Sequence, residues 1–255
     1  MELTLFQAIM IGLIYYSASS FWIHGWQTTT RPFIGAALVG ILLGNPLKGA
    51  LIGANIQLVY MGWMLVGGGV TTDSAFAGIV ATALAITGNL DTAAALALAV
   101  PLGVIGSWVW PLRNTINTFI MHLGDKACAD ANVKALPLYN IWLPQIPLLL
   151  ITAVPTTLAV YFGSDAIARV YDSLSGSVLS IINILGGVLP ALGIAITLKY
   201  VMKKNLIPYF FLGFLLTATM GMNILTVALF ASIAAALYAI PKISKLRNSG
   251  EPELE

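Results

Sequence analysis

The sequence predicts an all-α, polytopic membrane protein with several transmembrane helices and with broken or re-entrant segments in its N-terminal half. Two observations carry that prediction. Of 255 residues, 58% are hydrophobic and only 9% are charged, and the mean hydropathy is +0.90. A soluble domain needs a polar shell built from about 25% charged residues, so the solvent implied here is lipid. The apolar runs are also continuous. A transmembrane barrel would alternate apolar and polar side chains instead.

From the N-terminus, residues 3–23 form a first apolar run long enough to span, about 20 residues being needed at 1.5 Å each. Glu2 stands where a secretory leader would carry positive charge, and the first basic residue is Arg31, so a cleavable signal peptide is not expected. His24 lies between Trp22 and Trp26, an aromatic neighbourhood typical of a membrane boundary. After Arg31 and Pro32 come short apolar pieces punctuated by Gly35, Gly40, Gly44, Gly49, Gly53 and Gly62, then by Gly67, Gly68 and Gly69. The pairs Gly40/Gly44 and Gly49/Gly53 have the four-residue spacing that lets helices approach closely in lipid. Three consecutive glycines disfavour helix and predict a non-helical turn. At membrane depth such a turn must line protein or water.

Residues 75–87 make an apolar helix shorter than a span, bracketed by Asp73 and Asp91. Residues 92–111 are span-length, and residues 125–134 read as a polar connector. Residues 139–163 and 173–198 predict one span each, the first interrupted by Pro144, Pro147 and Pro155. Residues 205–240 carry no charge and suit two short spans divided near Gly221, Met222 and Asn223, since one helix of that length would overshoot the bilayer. Basic residues cluster at 113–134, 199–204 and 242–247, and the connection at 164–172 holds two acids and one base. Two spans separate each cluster from the next. The positive-inside rule therefore places all three clusters in the cytoplasm. Residues 1–247 read as one membrane-embedded domain: a glycine-rich region at 31–112, a connector at 113–138 and spans at 139–241. A polar tail follows at 248–255.

The net charge of +2 is scattered, which excludes a nucleic-acid-binding surface. One cysteine, Cys128, excludes an intrachain disulfide. His24 and His122 stand far apart and outside any nucleophile or metal-ligand motif, so neither an enzyme active site nor a cofactor is expected. The chemistry concentrates between residues 55 and 73. Asn55 and Gln57 are amides inside an apolar run, where an unpaired amide costs several kcal/mol. Each needs either a neighbouring helix or a ligand, and amides suit sugar hydroxyls because they donate and accept at once. Tyr60 and Trp63 offer rings for a pyranose face. Thr71, Thr72 and Asp73 add polar groups beside the Gly67–Gly69 turn. Substrate binding is expected at these ten residues.

These segments also carry a resemblance. The stretches "GAALVGILLGNPLKGALIGANIQLVYMGWM", "GGGVTTDSAFAGIVATALAI", "DKACADAN" and "GGVLPALGIAITLKYVMKKNLIPYFFLGF", in that order, resemble the IIC subunit of the mannose-fructose-sorbose family of the phosphotransferase system. The resemblance implies a sugar channel of a bacterial cytoplasmic (inner) membrane. It implies a membrane partner, IID, in a trimer of IIC–IID pairs. It also implies cytoplasmic IIA and IIB subunits, of which IIB phosphorylates the incoming sugar, while IIC itself carries no phosphoryl group. Many mannose-type relatives have a glutamate where this chain has Gln57, which points toward the N-acetylgalactosamine and hexosamine branch. The alternatives are a secondary transporter or channel without group translocation and a membrane scaffold without a substrate. A neighbouring reading frame for IID or IIB would separate them from the first reading.

Overall fold

The computed structural model describes residues 3–20, 29–61, 72–173, 176–203 and 206–249. Its regular structure is helical throughout among these residues, in two compact units, Met1–Leu198 and Lys199–Glu255.

The first unit opens with α1 (Leu5–Ser19), started by a reciprocal cap between Thr4 and Gln7. Four short helices follow: α2 (Pro32–Leu42), α3 (Pro46–Val59), α4 (Ser74–Thr87) and α5 (Thr92–Gly106). With 11, 14, 14 and 15 residues, they measure only ~17–23 Å at 1.5 Å per residue. None alone crosses a ~30 Å hydrocarbon core. Each has an explicit start. Pro32 and Pro46 occupy first-turn positions, where the missing N–H costs nothing. Asn45, Asp73 and Asp91 cap α3, α4 and α5 by accepting from Lys48, Phe76 and Ala94 N–H at 3.3, 2.8 and 2.8 Å.

The helices pair as two hairpins. Between α2 and α3 the turn is Gly44, at φ +73°. That left-handed conformation suits glycine, so Gly44 serves the turn, unlike the packing role its spacing from Gly40 predicts. Gly40, Gly49 and Gly53 do pack. A Cβ on Gly40 would lie 2.8 Å from the Gly49 Cα, and one on Gly53 would lie 2.6 Å from the Ala36 Cβ. Between α4 and α5 the turn is Gly88–Leu90, with Asn89 at φ +50°. Helix α4 is the centre of the unit: every residue from Ala75 to Thr87 is buried, as expected of a helix apolar on all sides. Gly78 rides on Pro32, and Gly35 admits Ile79.

The long helices differ. The expected span at 92–111 is present: α5, a helical-geometry turn at Ser107–Trp108 and α6 (Val109–Ala129) together make a stretch, Thr92–Ala129, apolar and long enough to cross a membrane. Helix α6 takes in most of the predicted connector, and Ala131, at φ +54°, turns the chain back. One 3-10 turn (Val133–Ala135) and one π turn (Leu138–Trp142) lead into α7 (Leu143–Ser173). This helix contains Pro147 and Pro155. It also absorbs the stretch 164–172 expected as an inter-span connection, whose Ala residues favour continued helix. At 31 residues it is ~46 Å long. Helix α1 packs along it: Gly12 lies against the Ala153 carbonyl, and the Thr157 hydroxyl donates to the Ala8 carbonyl at 3.3 Å. Its other face exposes Ile146, Leu150, Val154, Leu158 and Phe162 in steps of four, a stripe suited to lipid. Helix α8 (Gly176–Val201) follows.

The second unit holds α9 (Ile207–Ala218) and α10 (Ile224–Ser249). They are separated where the sequence predicts, by Gly221 at φ +62°. Helix α10 continues to Ser249, two residues into the predicted polar tail.

Candidate functional site

Helix α3 stops at Val59, and Tyr60 caps it through its N–H on the Ile56 carbonyl at 3.1 Å. Helix α4 starts at Ser74, with Thr72 and Asp73 outside it. The described helices thus end and begin on either side of residues 62–71, which lie outside the described residues.

Both of these helix ends are fastened to one turn of α5. The Tyr60 hydroxyl donates to the Ala99 carbonyl at 3.0 Å. The Asp73 N–H donates to the Gly103 carbonyl at 2.8 Å. Between these carbonyls stands Pro101, which has no N–H to continue the helix ladder. Glycine is required twice here. A Cβ on Gly103 would run into the Tyr60 phenol, and one on Gly106 would sit 2.7 Å from the Phe76 Cβ and 2.9 Å from the Asp73 Cβ.

Asp73 is a junction of three helices. Its Oδ1 accepts the Phe76 N–H at 2.8 Å, which caps α4. Its Oδ2 accepts the Tyr15 hydroxyl at 2.7 Å from α1. Tyr15 is fully buried and meets the Phe76 ring edge-on at 5.1 Å. Tyr15 is not among the ten residues expected from the sequence. The available signal was a phenol within an apolar run, which needs a partner when buried.

The two amides behave differently. Asn55 is half-buried, and its Nδ2 donates to the Leu51 carbonyl of its own helix at 2.9 Å. Gln57 has a buried Oε1 without a hydrogen-bond partner among the described residues. Two other buried atoms share that condition, the hydroxyl oxygens of Thr29 and Thr82. An unsatisfied buried acceptor costs on the order of 1–3 kcal/mol, so Gln57 is placed to gain from an incoming donor.

Of the ten expected residues, Asn55, Gln57, Tyr60, Thr72 and Asp73 flank residues 62–71, and Tyr60 and Asp73 meet α5 within one turn. Trp63, Gly67, Gly68, Gly69 and Thr71 lie outside the described residues, as do His24, Trp22 and Trp26. His122 is exposed and lies 3.8 Å from the Asp125 carboxylate. Among the described residues, no three His, Cys, Asp or Glu side chains gather as metal ligands. A separate polar knot closes the C-terminal end of α1. Tyr16 and Ser20 donate to Gln145 Oε1 at 3.0 and 2.8 Å, and Arg113 donates to the Ser19 carbonyl at 2.8 Å. A cation there complements the negative end of the helix dipole.

Comparison with known proteins agrees with this architecture. The family described as "PTS system sorbose-specific iic component" matches residues 5–237. The chain is 28% identical over 252 residues to the mannose-specific EIIC component of Escherichia coli K12, covering 99% of this chain and 95% of that one. It is 30% identical over 228 residues to the sorbose-specific EIIC component of Lacticaseibacillus casei, covering 87% and 81%. Among solved structures it is similar to a cryo-EM structure of the mannose transporter ManYZ with microcin E492, at TM-score 0.59 and 28% identity, covering 94% of this chain and 96% of that one.

Proposed function

The chain belongs to the family of sorbose-specific IIC components of the phosphotransferase system, a membrane-protein family of sugar permeases, and from that premise we propose that it binds a hexose or hexosamine at the end of α3. The sugar enters from outside and moves inward across the bacterial cytoplasmic membrane. A IIB subunit, supplied by IIA, phosphorylates it on arrival. A IID subunit completes the path, and the pairs assemble as trimers. The permease subunit itself transfers no phosphoryl group.

One observation carries this reading: the buried Gln57 Oε1 without a partner among the described residues, beside a helix end fastened to α5. A sugar hydroxyl supplies the missing donor. Asp73 still has acceptor capacity, because a carboxylate takes more than one hydrogen bond per oxygen. Asn55 retains its amide oxygen, and the Tyr60 ring presents an apolar face. The amide at position 57, in place of a carboxylate, favours a neutral, amide-tolerant environment and hence an N-acetylated hexosamine over a plain hexose.

The test is sugar-dependent phosphorylation by membranes holding the complete transporter, across a panel of hexoses and hexosamines. Gln57→Ala is expected to weaken affinity about tenfold, the loss of roughly one buried hydrogen bond, while the complex still assembles. Unchanged affinity for every sugar would remove Gln57 from the site. Sugar entering without phosphorylation would instead indicate a transporter that does no group transfer.

A further inference from the structure

Asp73 is held at both carboxylate oxygens, by donors from different parts of the unit. Oδ1 accepts the Phe76 N–H at 2.8 Å, from the helix that Asp73 itself caps. Oδ2 accepts the Tyr15 hydroxyl at 2.7 Å, from α1. The first bond alone does not fix the carboxylate, because the terminal torsion of an aspartate is broad and twofold. A second donor on the other oxygen sets the plane of the group. Tyr15 is itself firmly placed for that task. Its ring is fully buried and meets the Phe76 ring edge-on at 5.1 Å. Its helix is seated on α7, with Gly12 against the Ala153 carbonyl and the Thr157 hydroxyl donating to the Ala8 carbonyl. The Asp73 backbone is held separately, its N–H donating to the Gly103 carbonyl at 2.8 Å. Asp73 nonetheless keeps a partly exposed surface, and a carboxylate bonded once at each oxygen retains acceptor capacity on both.

We propose that Tyr15 is a positioning residue for sugar binding: it fixes the plane of the Asp73 carboxylate, and with it the directions from which Asp73 accepts a sugar hydroxyl. This rests on the reading of Asp73 as a sugar ligand. Tyr15 does not touch the sugar. A carboxylate free to turn has to be ordered when the ligand arrives, and that ordering subtracts from affinity. The phenol removes the cost beforehand, as supporting hydrogen bonds do for a preorganised binding group.

The experiment measures sugar affinity in the complete transporter with its partner subunits, using whichever of mannose, sorbose and N-acetylgalactosamine binds best. Tyr15→Phe keeps the ring and removes the donor, and is expected to weaken affinity about fivefold. Asp73→Asn keeps the helix cap and is expected to weaken it about tenfold. The double variant should stay within about twofold of Asp73→Asn, since Tyr15 acts only through the carboxylate. Tyr16→Phe is the matched control. It removes the neighbouring phenol's bond to Gln145 and should stay within about twofold of the parent. If Tyr15→Phe does not assemble, Tyr15→Met, which also lacks a donor, replaces it. A purely structural role would lower the amount of assembled transporter and its unfolding midpoint without this dependence on Asp73. Losses that multiply to about fiftyfold in the double variant overturn the proposal, because Tyr15 then acts independently of Asp73. An equal loss in Tyr16→Phe overturns it too, by assigning the effect to a loosened α1. Unchanged affinity in Tyr15→Phe beside a weakened Asp73→Asn overturns the role of Tyr15 and leaves Asp73 in the site. Unchanged affinity in Asp73→Asn removes both.

Discussion

Residues 32–106 and residues 109–173 solve opposite problems with nearly the same apolar vocabulary. The first stretch folds as four short helices around α4, which is buried on all sides from Ala75 to Thr87. The second folds as two long helices. Of the 21 residues of α6, only Ile120 and Ala127 are buried, and α7 turns a row of large apolar side chains outward. Composition does not separate them; glycine, caps and helix length do. Where Gly40, Gly49, Gly53 and Gly78 let backbones touch, short helices pack around one another and end within the unit. Those ends bring polar groups with them, and the candidate site lies among them. Where glycine is sparse, a helix runs past the bilayer thickness and serves as a wall.

The sharpest way to break this contrast is to give the hairpin a side chain it has no room for. Gly53→Leu must displace Ala36 and Phe33, whose atoms lie 2.6–3.1 Å from the would-be Cβ. Overpacking of roughly 3 kcal/mol lowers the unfolding midpoint in detergent by roughly 6–12 °C. A midpoint equal to the parent's would mean the glycine contacts are not close. Tyr15→Phe tests the junction at lesser cost. It removes the hydroxyl that Asp73 accepts at 2.7 Å and should lower the midpoint by roughly 3–8 °C, with no effect if the carboxylate finds water instead. Leu150→Ala, on the outward stripe of α7, should shift the midpoint by less than about 2 °C. A larger drop would show that protein, not lipid, covers that face.

The helical class and much of the element order were legible in the sequence because they depend on local rules. Asp73 and Asp91 bracket a short helix since each caps the one that follows it, and Gly221 ends α9 since it takes a positive φ. The expected turn at Gly67–Gly69 lies outside the described residues, whereas the ends of the flanking helices at Val59 and Ser74 are described. Less legible were features decided by neighbours distant in sequence. Gly44 has the spacing of a packing glycine yet makes a turn, which only the helix boundary reveals. Asn55 and Gln57 look alike as amides in an apolar run. One back-bonds to its own helix, and the other does not. Tyr15 joins Asp73 across 58 residues of chain, a pairing that no periodicity encodes. The charged stretch at 164–172 resembles a loop only if helix is assumed to end at the membrane surface.

The lone thiol has a practical consequence. Cys128 is exposed near the end of α6 and is the sole cysteine in the sequence. A reagent that cannot permeate vesicles will therefore mark one defined point without any engineering, and whether it reacts in sealed inverted or right-side-out vesicles reports the orientation of the whole chain.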